Sequence, residues 1–132
     1  MVVDTSALLA ILFDEAEGRT FADALEAASV RALSVVSFVE ASMVVEVRVG
    51  AAGVRLLDEL IEAAGLELVA VDVAQARAAR SAFERFGKGR HVAALNFGDC
   101  FSYALARTLD EPLLFKGDDF ARTDVVPAAP HE

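Results

Sequence analysis

Short apolar runs, each closed by an acid or a hydroxyl, alternate along this chain with longer stretches of helical periodicity. Residues 1–3 are apolar and stop at Asp4, after which Thr5 and Ser6 open a helical stretch that runs through Ala7 to Phe13. Residues 15–28 carry Phe21, Ala24 and Leu25 on one face and charges on the other, the pattern of an amphipathic surface helix. Residues 31–36 predict a second strand, and Ser37 then caps a helix over 38–49. Gly50 and Gly53 break the chain before a helix over 54–64 with Leu56, Leu57, Leu60 and Ile61 on or near one face. Residues 66–71 form a third strand, and Asp72 begins the helix that carries Ala76, Ala79 and Phe83. Asn96 is a favourable N-cap for the helix of Phe101, Ala104 and Leu105. Leu113 to Phe115 follow as a fourth strand, Val125 and Val126 as a short fifth, and 127–132 as a frayed tail. The alternation predicts an α/β fold: one domain over 1–132 with a parallel sheet of four to five strands and helices on both faces.

Composition narrows the class. With 132 residues, 55% of them hydrophobic, and a mean hydropathy of +0.44, the chain suffices for one real core, and it holds no repeat or linker. The net charge of -9 opposes nucleic acid and anionic membranes on average, and favours a cation or a basic partner. A lone cysteine, Cys100, excludes an internal disulfide and reads as a packed thiol of a cytoplasmic protein. The apolar opening is interrupted by Asp4, lacks a basic lead-in and is too short to span a bilayer. One segment reverses the charge balance, since Arg77, Arg80, Arg85, Lys88 and Arg90 are opposed only by Glu84. It ends in the turn Lys88-Gly89-Arg90-His91, just before Asn96 and Asp99, within reach of a phosphate held near that acid.

Open parallel sheets bind ligands beyond the carboxyl ends of their strands. Asp4, Glu40, Asp99 and the pair Asp118-Asp119 all fall just after strands or in first helical turns, so separate segments bring carboxylates to one edge. Each has a structural alternative: Asp4 as a helix cap, Glu40 in a Ser37-x-x-Glu40 capping box, Asp99 against the helix dipole. Asp72 reads only as a cap. Clustered carboxylates repel one another unless a cation intervenes, and hard oxygen ligands suit Mg²⁺ or Mn²⁺. The same repulsion implies that removing Asp4 or Asp99 costs the fold little. Metal-assisted phosphodiester hydrolysis fits this arrangement and requires no protein nucleophile. No Ser-His-Asp or Cys-His arrangement stands out, phosphate-binding glycine loops are absent, and one Cys with two His offers no zinc site.

Four runs in order carry a resemblance: Val3-Asp-Thr-Ser-Ala7, Ser37-Phe-Val-Glu-Ala41, the stretch from Gly87 through His91 and Asn96 to Ala104, and Leu113-Leu-Phe-Lys-Gly-Asp-Asp-Phe120. Over nearly its whole length the chain resembles PIN-domain ribonucleases, specifically the VapC toxins of VapBC toxin-antitoxin pairs. The resemblance implies Mg²⁺ or Mn²⁺ held by Asp4 and Asp99, with Glu40 binding directly or through water, and a fourth acid at Asp119 or Asp118. It also implies endonucleolytic cleavage of tRNA-class or rRNA-class RNA and inhibition by a cognate VapB antitoxin. A homodimer, and a heterotetramer or larger assembly with the antitoxin, belong to the same expectation. Lys88, Arg90, His91 and Lys116 are the substrate-binding candidates, with Thr5 and Ser6 beside them. A PIN fold that binds without cutting, and a Mg²⁺-dependent phosphoacceptor domain using Lys116, are the alternatives.

Overall fold

The computed structural model describes residues 1–130, and its elements follow from which runs can be buried on two sides. β1 (Val2–Val3), β2 (Ala32–Ser34), β3 (Glu67–Val69) and β4 (Leu113–Leu114) form one sheet in the order β3-β2-β1-β4, every pair parallel. Successive residues of a strand point to opposite faces, so a strand covered on both sides must be apolar at consecutive positions. Val2, Ala32 and Leu113 thus enter one core with Ala79, Tyr103 and Leu105, while Val3, Leu33 and Leu114 enter the other with Leu8, Val45 and Leu57. The first core lies under α5 (Val73–Phe86) and α6 (Phe97–Leu109). The second lies under α1 (Thr5–Leu12), α2 (Gly18–Ala27), α3 (Val35–Val49) and α4 (Ala51–Ala63). No helix among the described residues is long and apolar enough to cross a membrane.

Several boundaries differ from the sequence expectation. α3 starts three residues early: Ser34, not Ser37, is its N-cap and accepts from the Val36 amide, so the proposed Ser37-Glu40 capping box does not form. α2 begins at Gly18 because Asp14 takes a left-handed conformation (φ 51°) and the chain turns before the helix can start. Of the two glycines read as breaks, only Gly50 is one, with φ 76° between α3 and α4. Gly53 lies inside α4, where a Cβ would strike the side chains of Val45 and Val49, so it sets the close approach of these two helices. The fifth strand reduces to one parallel bridge between Leu113 and Pro127. The tail is not frayed there, since Leu113 donates to the Val126 carbonyl and accepts from the Ala128 amide, both at 2.9 Å. The last residues of that expected tail, His131 and Glu132, lie outside the described residues.

The strand order decides where a site can form. β1 is flanked by β2 on one side and β4 on the other, with the intervening helices on opposite faces, so a crevice opens between the carboxyl ends of β1 and β4. The Asp4 amide donates to the Leu114 carbonyl at 2.9 Å, which brings the residues after β4 beside the residues after β1.

Candidate active site

Asp4 stands at this crevice, 3% exposed, at the end of β1 and as the N-cap of α1. Its Oδ2 accepts from the Ser6 amide (3.0 Å) and hydroxyl (2.7 Å), and its Oδ1 from the hydroxyl of Ser102 on α6 (2.6 Å). Ser102 has one hydroxyl proton and gives it to Asp4, so in the 3.1 Å contact between Ser37 and Ser102 the Ser37 hydroxyl is the donor. Both serines are fully buried. A relay of two hydroxyls therefore runs from α3 through α6 to the carboxylate and fixes its orientation. Thr5 is buried with its hydroxyl 3.4 Å from the Ser37 carbonyl, and the half-buried Ser6 links Asp4 to the Lys116 amide.

Asp99 lies in the first turn of α6, where Asn96 and Asp99 form a reciprocal capping box with both hydrogen bonds at 3.0 Å. The structural alternative for this acid is thus realised, yet it does not exhaust its surroundings. Burial pushes the Asp99 carboxyl up to about 7, and the charges of Asp4, Glu40 and Asp119 push in the same direction against the Asn96 hydrogen bond. These are carboxylates from β1, α3 and the loop after β4, gathered around a fourth on α6. Of the adjacent pair, Asp119 is the acid whose charge acts on Asp99 here, whereas Asp118 lines a separate cavity with Glu17, Thr20 and Lys116. Phe120, buried against Phe115 at 5.4 Å between ring centroids, anchors the loop that carries Asp119.

Glu40 reaches this group because residue 98 has no side chain. A Cβ on Gly98 would overlap the Glu40 carboxylate, so the absence of that carbon leaves the place the carboxylate occupies. Gly98→Ala is therefore expected to leave the melting temperature unchanged or raise it, since alanine favours a helix by about 1 kcal/mol. The same change displaces Glu40 from Asp99 and lowers Mn²⁺ affinity roughly tenfold or more, which titration calorimetry beside a thermal melt checks.

The basic candidates are distributed differently. Lys116 Nζ is held by Glu15 at 2.7 Å and Glu17 at 3.6 Å, two acids of the turn before α2 that the residue pattern left without chemistry. This ion pair is solvent-exposed at the surface. His91 Nδ1 accepts from the Ala93 amide at 3.0 Å and its ring packs edge-on against Phe86, so it shapes the loop into α6. Lys88 and Arg90 are exposed, and the Arg90 guanidinium lies 5.4 Å from the centre of the Phe83 ring. Cys100 is buried and its thiol is pushed up to about 11 by burial and by Asp99, consistent with packing. The sequence reading overlooked Ser102, and misplaced Ser37, because a small hydroxyl in an apolar helix resembles filler. The signal that could have found it was its spacing, three residues beyond Asp99 and so on the same helix face.

In comparison with known proteins, the model of the PIN domain family matches residues 1–126. The chain belongs to the PIN-domain family. Ribonuclease VapC30 of Mycobacterium tuberculosis is 50% identical over 129 residues, covering 98% of each chain. Ribonuclease VapC of Mycolicibacterium smegmatis is 53% identical over 125 residues, covering 95% of this chain and 97% of its own. Among solved structures, M. tuberculosis VapC20, a sarcin-ricin loop cleaving toxin, superposes with a TM-score of 0.79 at 18% identity over 98% of each chain. The toxin-antitoxin complex from Klebsiella pneumoniae gives 0.68 at 21% identity, covering 95% of this chain and 93% of that one. At these identities both structures speak to the fold of the PIN domain.

Whether this PIN domain suits a divalent ion depends on its donors. Among the described residues no three carboxylate, imidazole or thiol groups are close enough to ligate one ion as they stand. The chemistry of the set nevertheless fits: Asp4, Glu40, Asp99 and Asp119 are hard oxygen donors, and burial together with the other three charges already weakens ionisation at Asp99. A cation among them removes that penalty.

Proposed function

We propose that this PIN domain is a Mg²⁺- or Mn²⁺-dependent endoribonuclease, the VapC-type toxin of a toxin-antitoxin pair acting in the cytoplasm. The observation that carries this reading is that Asp4 and Glu40 both reach α6 beside Asp99, Asp4 at Ser102 and Glu40 at Gly98, and that burial with the charges of Asp4, Glu40 and Asp119 raises the Asp99 carboxyl to about 7. The relatives named VapC ribonuclease at about half identity over nearly the whole chain support it. Asp4, Glu40, Asp99 and Asp119 are the ion-binding set. When bound, the ion supplies Lewis acidity toward the phosphate and acidifies a water. Ser6 and Ser102 hold Asp4 in one orientation, Asn96 does the same for Asp99, and Gly98 leaves Glu40 its place. Asp99 must release its proton for the ion to bind, so affinity rises with pH through about 7. Lys88 and Arg90 contact the RNA backbone beside the acids.

A VapB-type antitoxin completes the proposal. The face of α3 next to Glu40 exposes Val39, Met43 and Val47, an apolar strip that favours a partner helix. A basic side chain from that partner then meets the acids, in keeping with the net charge of -9. The toxin is a homodimer within this assembly.

The test is cleavage of total RNA by the purified, antitoxin-free protein in Mn²⁺. Discrete fragments that vanish with EDTA are the expected result, and mapping their ends identifies the target. Fragments unaffected by EDTA, or no fragment from any RNA class, overturn the reading.

A further inference from the structure

Beside the acids, between α5 and α6, lies a cleft of about 300 Å³ lined by Phe83, Phe97, Phe101, Cys100 and Arg80. It has features that a packed helix pair does not need. Phe97 is 74% exposed and Phe83 39%, although both belong to helices whose other faces are buried. Phe97 and Phe101 pack with centroids 4.9 Å apart and planes tilted at 58°, so the α6 wall is a double aromatic surface, and the Arg90 guanidinium lies 5.4 Å from the centre of the Phe83 ring on one of its faces. Phe97 is two residues from Asp99 and also lines the groove that contains Glu40, so the cleft and the acids share a wall.

Arg80 is the one charged residue among the described residues lining the cleft, and the charges of α5 and the turn after it run opposite to the rest of the chain. Arg77, Arg80, Lys88 and Arg90 form no ion pair among the described residues, whereas Arg85 is held by Asp124. Aromatic walls with an unneutralised cationic rim suit a flat, apolar-faced group attached to an anionic backbone. We propose that this cleft is a subsite for one unpaired nucleobase of the RNA, stacked against Phe97 and Phe83, with its phosphates on Arg80 and Arg90. The volume suits a single ring system and is small for a helix. A second copy fits less well, because a symmetric contact sets the cationic rim against itself. This subsite rests on the ribonuclease reading and narrows it: the target presents an unstacked base next to the cleaved bond.

The chain has no tryptophan, so Phe97→Trp supplies a single fluorescent reporter at an exposed position. In EDTA, a short single-stranded oligoribonucleotide is expected to quench the introduced indole, while inorganic polyphosphate, which has charge but no bases, is not. Phe83→Ala and Arg80→Ala in that background are expected to weaken RNA binding about tenfold each. Absence of quenching by RNA overturns the subsite, as does emission that follows protein concentration in place of RNA, the signature of a second copy. Cleavage by the unmodified chain in Mn²⁺, measured in parallel, separates the two claims. Cleavage without quenching rejects the subsite alone, and quenching without cleavage of any RNA supports the base site while rejecting the nuclease.

Discussion

Asp99→Asn is expected to lower Mn²⁺-dependent RNA cleavage at least about a hundredfold while making the ion-free protein more stable at alkaline pH. The substitution removes a charge from a cluster of four carboxylates but keeps an oxygen able to accept from the Asn96 amide, so the capping box survives. Its stability effect has a defined sign. The folded Asp99 carboxyl titrates at about 7 against an ordinary 3.8, so between those values the folded chain binds more protons than the unfolded one. Stability from this group is therefore present at low pH and lost as pH rises toward and through 7. Because the carboxyl is only part-buried, solvent screening reduces the effect to about 1 kcal/mol, or about 4 °C in melting temperature. In EDTA the asparagine variant should match the unmodified chain at or below the ordinary carboxyl value of 3.8 and melt progressively higher as the pH rises through about 7. A variant that melts lower across this range would show that the carboxylate serves chiefly as a cap.

Asp4→Ala is expected to abolish cleavage as well, but at the expense of the fold. The residue pattern predicts little loss of fold when Asp4 or Asp99 is removed, but the hydrogen bonds that Asp4 accepts argue for a cost there. The alanine leaves the buried Ser102 hydroxyl and the Ser6 amide without their acceptor and removes the cap of α1. A lost cap costs about 1 kcal/mol and an unsatisfied buried donor about 1–3 kcal/mol, so a destabilisation of about 3 kcal/mol is anticipated in urea denaturation with EDTA present. Asp4→Asn keeps one acceptor oxygen and should lose about half as much. Ser102→Ala removes the donor as well, so in the double variant with Asp4→Ala the two losses should sum to less than their separate values. Full additivity would mean that the 2.6 Å contact does not couple the two side chains.

Asp4 and Asp99 thus divide roles that look alike in the sequence. Both begin helices and both belong to the acidic cluster, yet one is a buried hub and the other a part-buried member whose charge is already disfavoured. Ser37 shows the same limit from the other side. Its spacing to Glu40 satisfies a capping-box pattern, but the Ser34 hydroxyl caps first, and α3 then carries Ser37 into the interior to meet Ser102. Lys116 stands alone in the sequence, and the turn at Asp14 brings Glu15 and Glu17 to it.

The class of fold was legible in the order of residues alone, and so were the segments that carry the candidate acids. Consecutive apolar residues in very short strands can be satisfied only by burial on both faces, which demands a parallel sheet between helix layers, and Asp4 and Asp99 sit where a strand ends or a helix opens, whereas Glu40 lies in the second turn of α3. Those are properties of neighbours along the chain. Which acids meet, which cations stay free and which hydroxyls hold a carboxylate depend on contacts between residues far apart in sequence. Ser102 and Asp4 are separated by 98 positions, Lys116 and Glu15 by 101. Only the order β3-β2-β1-β4 sets β1 against β4 and brings those distant side chains together.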